Sequence, residues 1–153
     1  NLERAVKNPN DIEARGALLL GSCYGGIAID NCGTALAHNI SHAMADLAPI
    51  PHGRATGLAM LATMKWVSQG ASEAYARVAK AMSAADPVIA YDRLVRATGM
   101  KISLEGDGLD LAKPELLAEH MASPANAPMR KSNLRYPGDA ELVELARLVY
   151  DLH

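Results

Sequence analysis

Apolar residues recur along this chain at helical spacing and rarely alternate with polar residues as they do in a strand. Phenylalanine is absent and aromatic residues make up only 4% of the chain, so the residue types that favour strands are scarce. Alanine, leucine and methionine, which favour helices, dominate instead. The pattern predicts an all-α fold of six or seven helices, without internal repeats and without a boundary between domains.

The first long helix is predicted over residues 11–30, after a break at Asn-Pro-Asn, with Asn10 or Asp11 as its N-cap. Its sequence is apolar and carries small residues on one face, which allows another helix to approach closely. We therefore expect this helix to be central and mostly buried. Gly33 is predicted to end it, because glycine readily adopts the backbone conformation found just past a helix.

A second long helix is predicted from a cap at Thr34 to about Leu47, where residues 48–51 (Ala-Pro-Ile-Pro) break it. A third begins near His52 or Gly53 and is apolar enough to be a core helix as far as Gly70. Asp139 is predicted to cap the last helix. The remaining helices are predicted over residues 72–85, 87–98, 113–122 and 140–152.

Length and charge narrow the functional class. The chain has 153 residues, of which 50% are hydrophobic, and this is enough for one domain with its own core. Its 15 basic and 17 acidic residues are scattered and include no basic block, so we expect no nucleic-acid partner. The apolar stretch 16–29 contains glycines and is shorter than the roughly 20 residues that a bilayer span needs. We expect no membrane partner and a cytoplasmic location.

The two cysteines and the amino terminus carry less information. Cys23 and Cys32 lie nine residues apart in one helical region, so we expect free, buried thiols and no disulfide. The chain opens at Asn1 inside a helical pattern and contains no strand followed by a glycine-rich dinucleotide loop. We therefore expect a carboxyl-terminal piece of a larger protein.

Three of the five histidines fall within fifteen residues and form the candidate site. His38 and His42 are four residues apart, so both rings project from one helix face. His52 follows the proline break, and a short reversal of the chain can bring it back over the preceding helix. Neutral imidazole suits zinc or iron(II), although such a site needs three or four ligands in total. The spacing of His38 and His42 favours these two as the metal-binding pair. It does not decide which of the three histidines bind metal, and an ordinary structural role stays open for them.

Nearby carboxylates do not complete this site convincingly. Asp30 precedes the helix that carries the histidines, and Asp46 follows His42 by one turn on the same face. Either residue is a candidate metal ligand or a partner that orients one. An N-cap or a solvated position is the preferred interpretation for both, because aspartate often occupies such places.

Residues 33–61, GTALAHNISHAMADLAPIPHGRATGLAML, resemble the iron-containing (group III) alcohol dehydrogenase family, within the superfamily of glycerol dehydrogenase and dehydroquinate synthase. Residues 13–33 are similar to the family's small-residue helix and its Asn-x-Gly turn. Residues 133–151 resemble its Asn-Pro-Arg loop and terminal helix. The resemblance thus covers nearly the whole chain, and it implies a single helical, metal-binding catalytic domain over residues 1–153.

The resemblance also implies roles for the histidines. It makes His38 and His52 ligands of Fe²⁺ or Zn²⁺, and it makes His42 the residue that relays a proton. The family's other two ligands, an aspartate and a histidine four residues apart, would precede Asn1. The first helices of the helical domain and the amino-terminal domain that binds NAD(P) would also be missing, so the isolated piece is expected to be inactive.

The activity implied for the intact enzyme is oxidation of a small alcohol or reduction of an aldehyde or ketone, in which a metal polarises the substrate oxygen and hydride moves to or from NAD(P). Departures from the family's pattern leave the substrate open, and a relative similar to maleylacetate reductase is an alternative. The departures from the family's pattern are Ala45 in place of a glycine, Thr56 in place of an asparagine, and Leu61-Ala62 in place of Pro-His. A different alternative is a non-catalytic helical module that associates with itself or a partner, and we expect a homo-oligomer. A third is a stand-alone protein that binds metal with all three histidines.

Overall fold

The computed structural model describes residues 1–109 and 113–153. Within these ranges the chain forms eight α-helices and no strand, which confirms the all-α prediction. Their number exceeds the expected six or seven. The helices are α1 (Leu2–Lys7), α2 (Ile12–Cys32), α3 (Leu36–Leu47), α4 (His52–Val67), α5 (Ser72–Ala81), α6 (Pro87–Ala97), α7 (Pro114–Ala122) and α8 (Asp139–Tyr150). Two 3₁₀ helices are described as well, Ser68–Gly70 and Ala127–Arg130.

The hydrophobic core lies between four helices. Helix α3 packs against α4 and α7, and α8 closes the core by packing against α7 and α4. Each of the four presents an apolar face because its apolar residues recur at intervals of three and four. The largest fully buried side chains in this core include Leu36, Ile40, Met44, Leu58, Trp66, Leu117 and Leu142.

Helix α2 is exposed, so the prediction of a central, mostly buried helix is wrong for this chain. Ala14 is its only buried residue, whereas Leu19 and Ile27 are 73% and 55% exposed. Among the described helices α1 alone packs closely against it, and Arg4 of α1 bridges Asp11 and Glu13 at 3.0 Å each. The apolar residues of α2 surround its axis, and no other helix of the described residues covers them.

Both cysteines of α2 are free, as predicted, but they are exposed rather than buried. The cysteines are exposed for the same reason as the rest of α2, because no other helix of the described residues covers the part of α2 that carries them. Within the described residues, no helix has the combination of length and hydropathy required to cross a bilayer.

Helix caps depart from the predictions at two of three places. Asp11 caps α2 as predicted, its carboxylate accepting a hydrogen bond from the Ala14 N–H at 2.9 Å. The N-cap of α8 is Gly138 rather than Asp139, and the Glu141 carboxylate accepts the Gly138 N–H at 2.6 Å. Thr34 does not cap α3, which begins after Ala35 and receives no cap from a neighbouring side chain. The side chain of Asn133, which is distant in sequence, accepts the Leu36 N–H instead.

Candidate metal site

The candidate site lies along the first two turns of α3 and at the start of α4. Residues 48–51 connect the two helices, and this segment is extended at both ends, at Ala48 and Pro51. Ala48 and Ile50 are buried, so the connection is tied to the core. A short, anchored connection of this kind returns His52 toward the two histidines of α3, as the sequence pattern allows.

The three imidazole rings form a triangle. The ring centroids of His38 and His52 are 5.5 Å apart, and those of His42 and His52 are 5.6 Å apart. His38 and His42, which share one helix, are 6.2 Å apart. His38 is partly buried, while His42 and His52 are exposed. The fold therefore brings together all three histidines that the sequence singled out.

The electrostatics of the triangle favour neutral imidazole at its most buried member. Burial lowers the pKa of His38 from its ordinary value, and the charges that His52 and His42 can carry lower it further. No carboxylate in the described residues is hydrogen-bonded to any of the three rings. Neutral imidazole has a free nitrogen lone pair, which is the form that coordinates a metal ion.

The triangle fits a shared metal ion only in part. Two imidazoles on one tetrahedral ion have ring centroids roughly 5 Å apart, because zinc lies about 2.0–2.1 Å from each nitrogen. The two pairs that include His52 are nearest to this separation, and His38 with His42 is the farthest from it. In the described residues, no group of three or more histidine, cysteine, aspartate or glutamate side chains is disposed to hold a metal.

The two candidate aspartates lie outside the triangle. Asp46 Oδ2 is 3.3 Å from His120 Nδ1, and it accepts a hydrogen bond from Asn126 Nδ2 at 3.4 Å. Asp30 is exposed in the last turn of α2. Asp46 therefore links α3 to α7 and to the segment that follows α7, and neither carboxylate hydrogen-bonds to the three imidazoles.

Three polar contacts around the triangle were not predicted. The first contact is made at the start of α3, where the side-chain Oδ1 of Asn133 accepts the Leu36 N–H at 2.9 Å. Asn133 and Leu36 are 97 residues apart in sequence, so no local pattern marks the contact. The only signal is the resemblance of residues 133–137 to the family's Asn-Pro-Arg loop.

The second contact is made by Arg54, two residues after His52. Its guanidinium donates to the carbonyl oxygens of Lys101 and Ser103, each at 2.8 Å, and to Asp107 Oδ2 at 2.7 Å. The hydrogen bond from Arg54 holds the pKa of the Asp107 carboxyl below its ordinary value, and Lys101 acts in the same direction. The loop that precedes α7 is thereby attached to the first turn of α4.

The third contact joins α3 to α4 beside the rings. Thr56 Oγ1 is hydrogen-bonded to the buried Ser41 Oγ at 3.1 Å, and Ser41 Oγ donates to the His38 carbonyl oxygen at 3.2 Å. Thr56 is one of the departures from the family's pattern. The other departures differ in setting, since Ala45 is exposed whereas Leu61 and Ala62 are buried in the core.

Comparison with known proteins shows the family of the chain. A model of the carboxyl-terminal part of the Fe-containing alcohol dehydrogenase family matches residues 1–150. The chain belongs to this family. This assignment agrees with the resemblance found in the sequence. Both the matched family model and the resemblance cover nearly all of the chain.

Two curated relatives are similar to the chain at moderate identity. "Probable alcohol dehydrogenase EutG" of Salmonella typhimurium is 27% identical, over 95% of this chain and 37% of that protein. "Hydroxyacid-oxoacid transhydrogenase, mitochondrial" of Bos taurus is 31% identical, over 54% of this chain and 21% of that protein. The chain thus spans well under half the length of these oxidoreductases. No solved structure gives a significant match.

Proposed function

We propose that this chain is the metal-binding catalytic half of an NAD(P)-dependent alcohol dehydrogenase, which oxidises small alcohols or reduces aldehydes and ketones. The observation that carries the proposal is the convergence of His38, His42 and His52, from two helices, in a chain of the Fe-containing alcohol dehydrogenase family. In this proposal His38 and His52 hold Fe²⁺ or Zn²⁺. The bound metal would act as a Lewis acid on the substrate oxygen.

His42 is the proposed proton relay. Its ring is exposed and lies 6.2 Å and 5.6 Å from the other two rings, measured between centroids. Histidine exchanges protons near neutral pH, so a solvent-exposed ring beside the proposed metal ligands suits the transfer of the hydroxyl proton. NAD(P) and the remaining metal ligands belong to the rest of the family's polypeptide, and we propose that the isolated chain is inactive.

Metal titration of single variants tests the ligand assignment. Zn²⁺, and Fe²⁺ under anaerobic conditions, would be titrated calorimetrically into the chain and into its His38→Ala, His52→Ala and His42→Ala variants. We expect the first two substitutions to weaken binding about tenfold or more and the third to change it little. His120→Ala is the matched control, since His120 pairs with Asp46 instead. Weakening by His42→Ala without an effect of His52→Ala would overturn the assignment.

The substrate class and the cofactor would be tested in a polypeptide that joins this chain to an amino-terminal domain of the family. Reduction of short aldehydes, oxo acids and maleylacetate would be compared with NADH and NADPH, with His52→Ala as the inactive reference. Preference for maleylacetate would favour the maleylacetate reductase alternative. Cell fractionation would test the proposed cytoplasmic location, since the bovine transhydrogenase is named as mitochondrial.

A second candidate function is self-association, and the exposure of α2 favours it. Its stretch 16–29 carries no charge, and Leu19, Leu20, Tyr24 and Ile27 are between 53% and 73% exposed. A helix that is apolar all round is normally buried, and association covers such a surface. We propose that a second copy of the chain packs against α2 and that the protein is a homo-oligomer.

Sedimentation velocity and thiol labelling test this association together. We expect a concentration-dependent oligomer that Leu19→Lys converts to monomer, and slower reaction of Cys23 with a thiol reagent as the protein concentration rises. Lys131→Ala is the control, because Lys131 is exposed on a different segment. A monodisperse monomer whose labelling rate is independent of concentration would exclude self-association through α2.

A further inference from the structure

Helix α3 begins in an unusual way for a helix that carries two histidines of the candidate site. Its N-cap residue is Ala35, which has no side-chain acceptor, so the first amide groups need partners from elsewhere. The His38 and Asn39 N–H groups donate to the Ala35 carbonyl oxygen at 2.9 and 3.1 Å. The Leu36 N–H donates instead to Asn133 Oδ1 at 2.9 Å, so a remote side chain supplies the cap.

Asn133 itself is held firmly enough to serve as a fixed point. Its Nδ2 donates to the Met129 and Arg130 carbonyl oxygens at 3.0 and 2.9 Å, so the amide uses its acceptor and both of its donors. Arg130 is buried and donates to the Pro137 carbonyl oxygen and to Asp139 Oδ1, each at 2.8 Å. The segment that carries Asn133 is therefore tied to the start of α8.

The same segment is tied to the end of α4. The Arg135 guanidinium lies 3.5 Å from the centroid of the buried Trp66 ring, and it donates to the Trp66 carbonyl oxygen at 2.8 Å. On the other side the segment abuts the turn before α3, because a Cβ added at Gly33 would lie 3.3 Å from Ser132 Oγ. Gly33 has φ +74°, so both its backbone and its surroundings favour glycine.

We propose that Asn133 is a positioning residue, which fixes the first turn of α3 relative to α4 and thereby sets the separation of His38 from His52. This inference rests on the proposed function, in which those two residues bind one metal. His38 is two residues beyond Leu36, so displacement of the capped amide moves the His38 backbone directly. His52 lies on α4, to whose other end Arg135 attaches the Asn133 segment. One amide thus couples the two helices through a route that avoids residues 48–51.

The first test needs no metal. Nuclear Overhauser effects between the His38 and His52 ring protons would be compared in the parent chain, Asn133→Ala and Asp86→Ala. Asp86→Ala is the matched control, because Asp86 caps α6 by accepting the Val88 and Ile89 N–H groups, and α6 carries none of the three histidines. We expect the ring contacts to weaken several-fold in Asn133→Ala alone, together with faster hydrogen exchange of the Leu36 amide.

The second test uses Zn²⁺ alone as the probe. We expect Asn133→Ala to bind Zn²⁺ about tenfold more weakly than the parent, as is typical when support of a metal ligand is lost. Asp86→Ala is expected to bind it as the parent does. Equal weakening in both variants, or unchanged ring contacts and affinity in Asn133→Ala, would overturn the positioning role and leave Asn133 as an ordinary cap.

A double variant separates positioning from capping. Ala35→Ser provides a local N-cap, so its combination with Asn133→Ala is expected to recover helix stability but not the ring contacts. Recovery of both would overturn the proposal. If Asn133→Ala does not fold, Asn133→Gln replaces it, because this side chain sets the same groups one methylene further away. If the parent itself binds no Zn²⁺ through His38 and His52, the proposed function fails, while the ring contacts still decide the role of Asn133.

Discussion

Helices α2 and α3 follow one another in the chain and are both rich in apolar residues, yet they occupy opposite environments. Seven residues of α3 are buried, whereas Ala14 is the only buried residue of α2. The difference lies in the arrangement of the apolar residues. Helix α3 concentrates them on one side, so α4 and α7 can cover that side and leave His42 exposed. The apolar residues of α2 are distributed all round its axis. Covering them requires more neighbouring helices than the described part of this chain provides.

The largest difference in the free energy of unfolding is expected between two truncations, one of a leucine in the core and one of a leucine in α2. Leu58 of α4 is fully buried against the α3 side of the core, and Leu19 of α2 is 73% exposed. We expect Leu58→Ala to lower the free energy of unfolding by about 2–5 kcal/mol. Leu19→Ala is expected to change it by less than about 0.5 kcal/mol. Urea unfolding followed by circular dichroism measures both. A similar cost for Leu19→Ala would mean that α2 is covered in solution.

A smaller difference is expected for two asparagines. Asn39 of α3 is buried and donates to the Met121 and Asn126 carbonyl oxygens, each at 2.8 Å. Asn39→Ala leaves both carbonyl groups without this donor, so we expect a loss of about 1–3 kcal/mol. Asn31 of α2 donates to the Ile27 carbonyl oxygen at 2.7 Å but is exposed, so water replaces the bond in Asn31→Ala. We expect a change of less than about 0.5 kcal/mol there, and equal losses would contradict the contrast between the two helices.

The smallest effect is expected at the ion pair between Arg54 and Asp107, and it depends on pH. The folded-state pKa of Asp107 is lowered, chiefly by the hydrogen bond from Arg54, so ionisation of this carboxyl stabilises the folded state. This contribution is present above the unfolded-state pKa of about 3.9 and is lost as the pH falls through the lower folded-state pKa. Asp107→Asn is expected to cost about 0.5–1 kcal/mol at pH 7.

Unfolding free energies at pH 7 and at pH 3 check that expectation. The gap between the parent and Asp107→Asn should narrow at the lower pH. Asp30→Asn on the exposed end of α2 is the matched control, and it should show no such gap at either pH. A gap that stays constant with pH would mean that Asp107 contributes through packing instead of through its charge.

Much of the fold was predictable because it depends on local pattern. Proline and glycine mark the ends of helices by restricting or freeing the backbone, and these positions separated α2, α3 and α4 correctly. The spacing of His38 and His42 placed both on one helix face, and the proline break placed His52 at the start of the next helix. The roles of these histidines stay predictions, since they rest on the family resemblance and their spacing alone leaves the metal pair open.

Other features were not predictable because they depend on residues that are distant in sequence. Thr34 is of a residue type that is favoured at an N-cap, but Asn133 reaches the α3 terminus from the far end of the chain. Asp46 shares a helix face with His42, yet its partners are His120 and Asn126. In both cases local sequence identified a polar group that needs a partner, and tertiary packing selected the partner.

Sequence pattern alone showed that this protein is helical, that His38 and His42 share one helix while His52 begins the next, and that the chain belongs with the Fe-containing alcohol dehydrogenases. These properties follow from periodicity, from helix-breaking residues and from a motif that is contiguous in the chain. The tertiary structure was needed to show that the three imidazole rings come together, that Asn133 caps α3, and that α2 is exposed. The reason is physical. Periodicity reports which residues avoid water, whereas burial and ring separations depend on which other segments occupy the space around them.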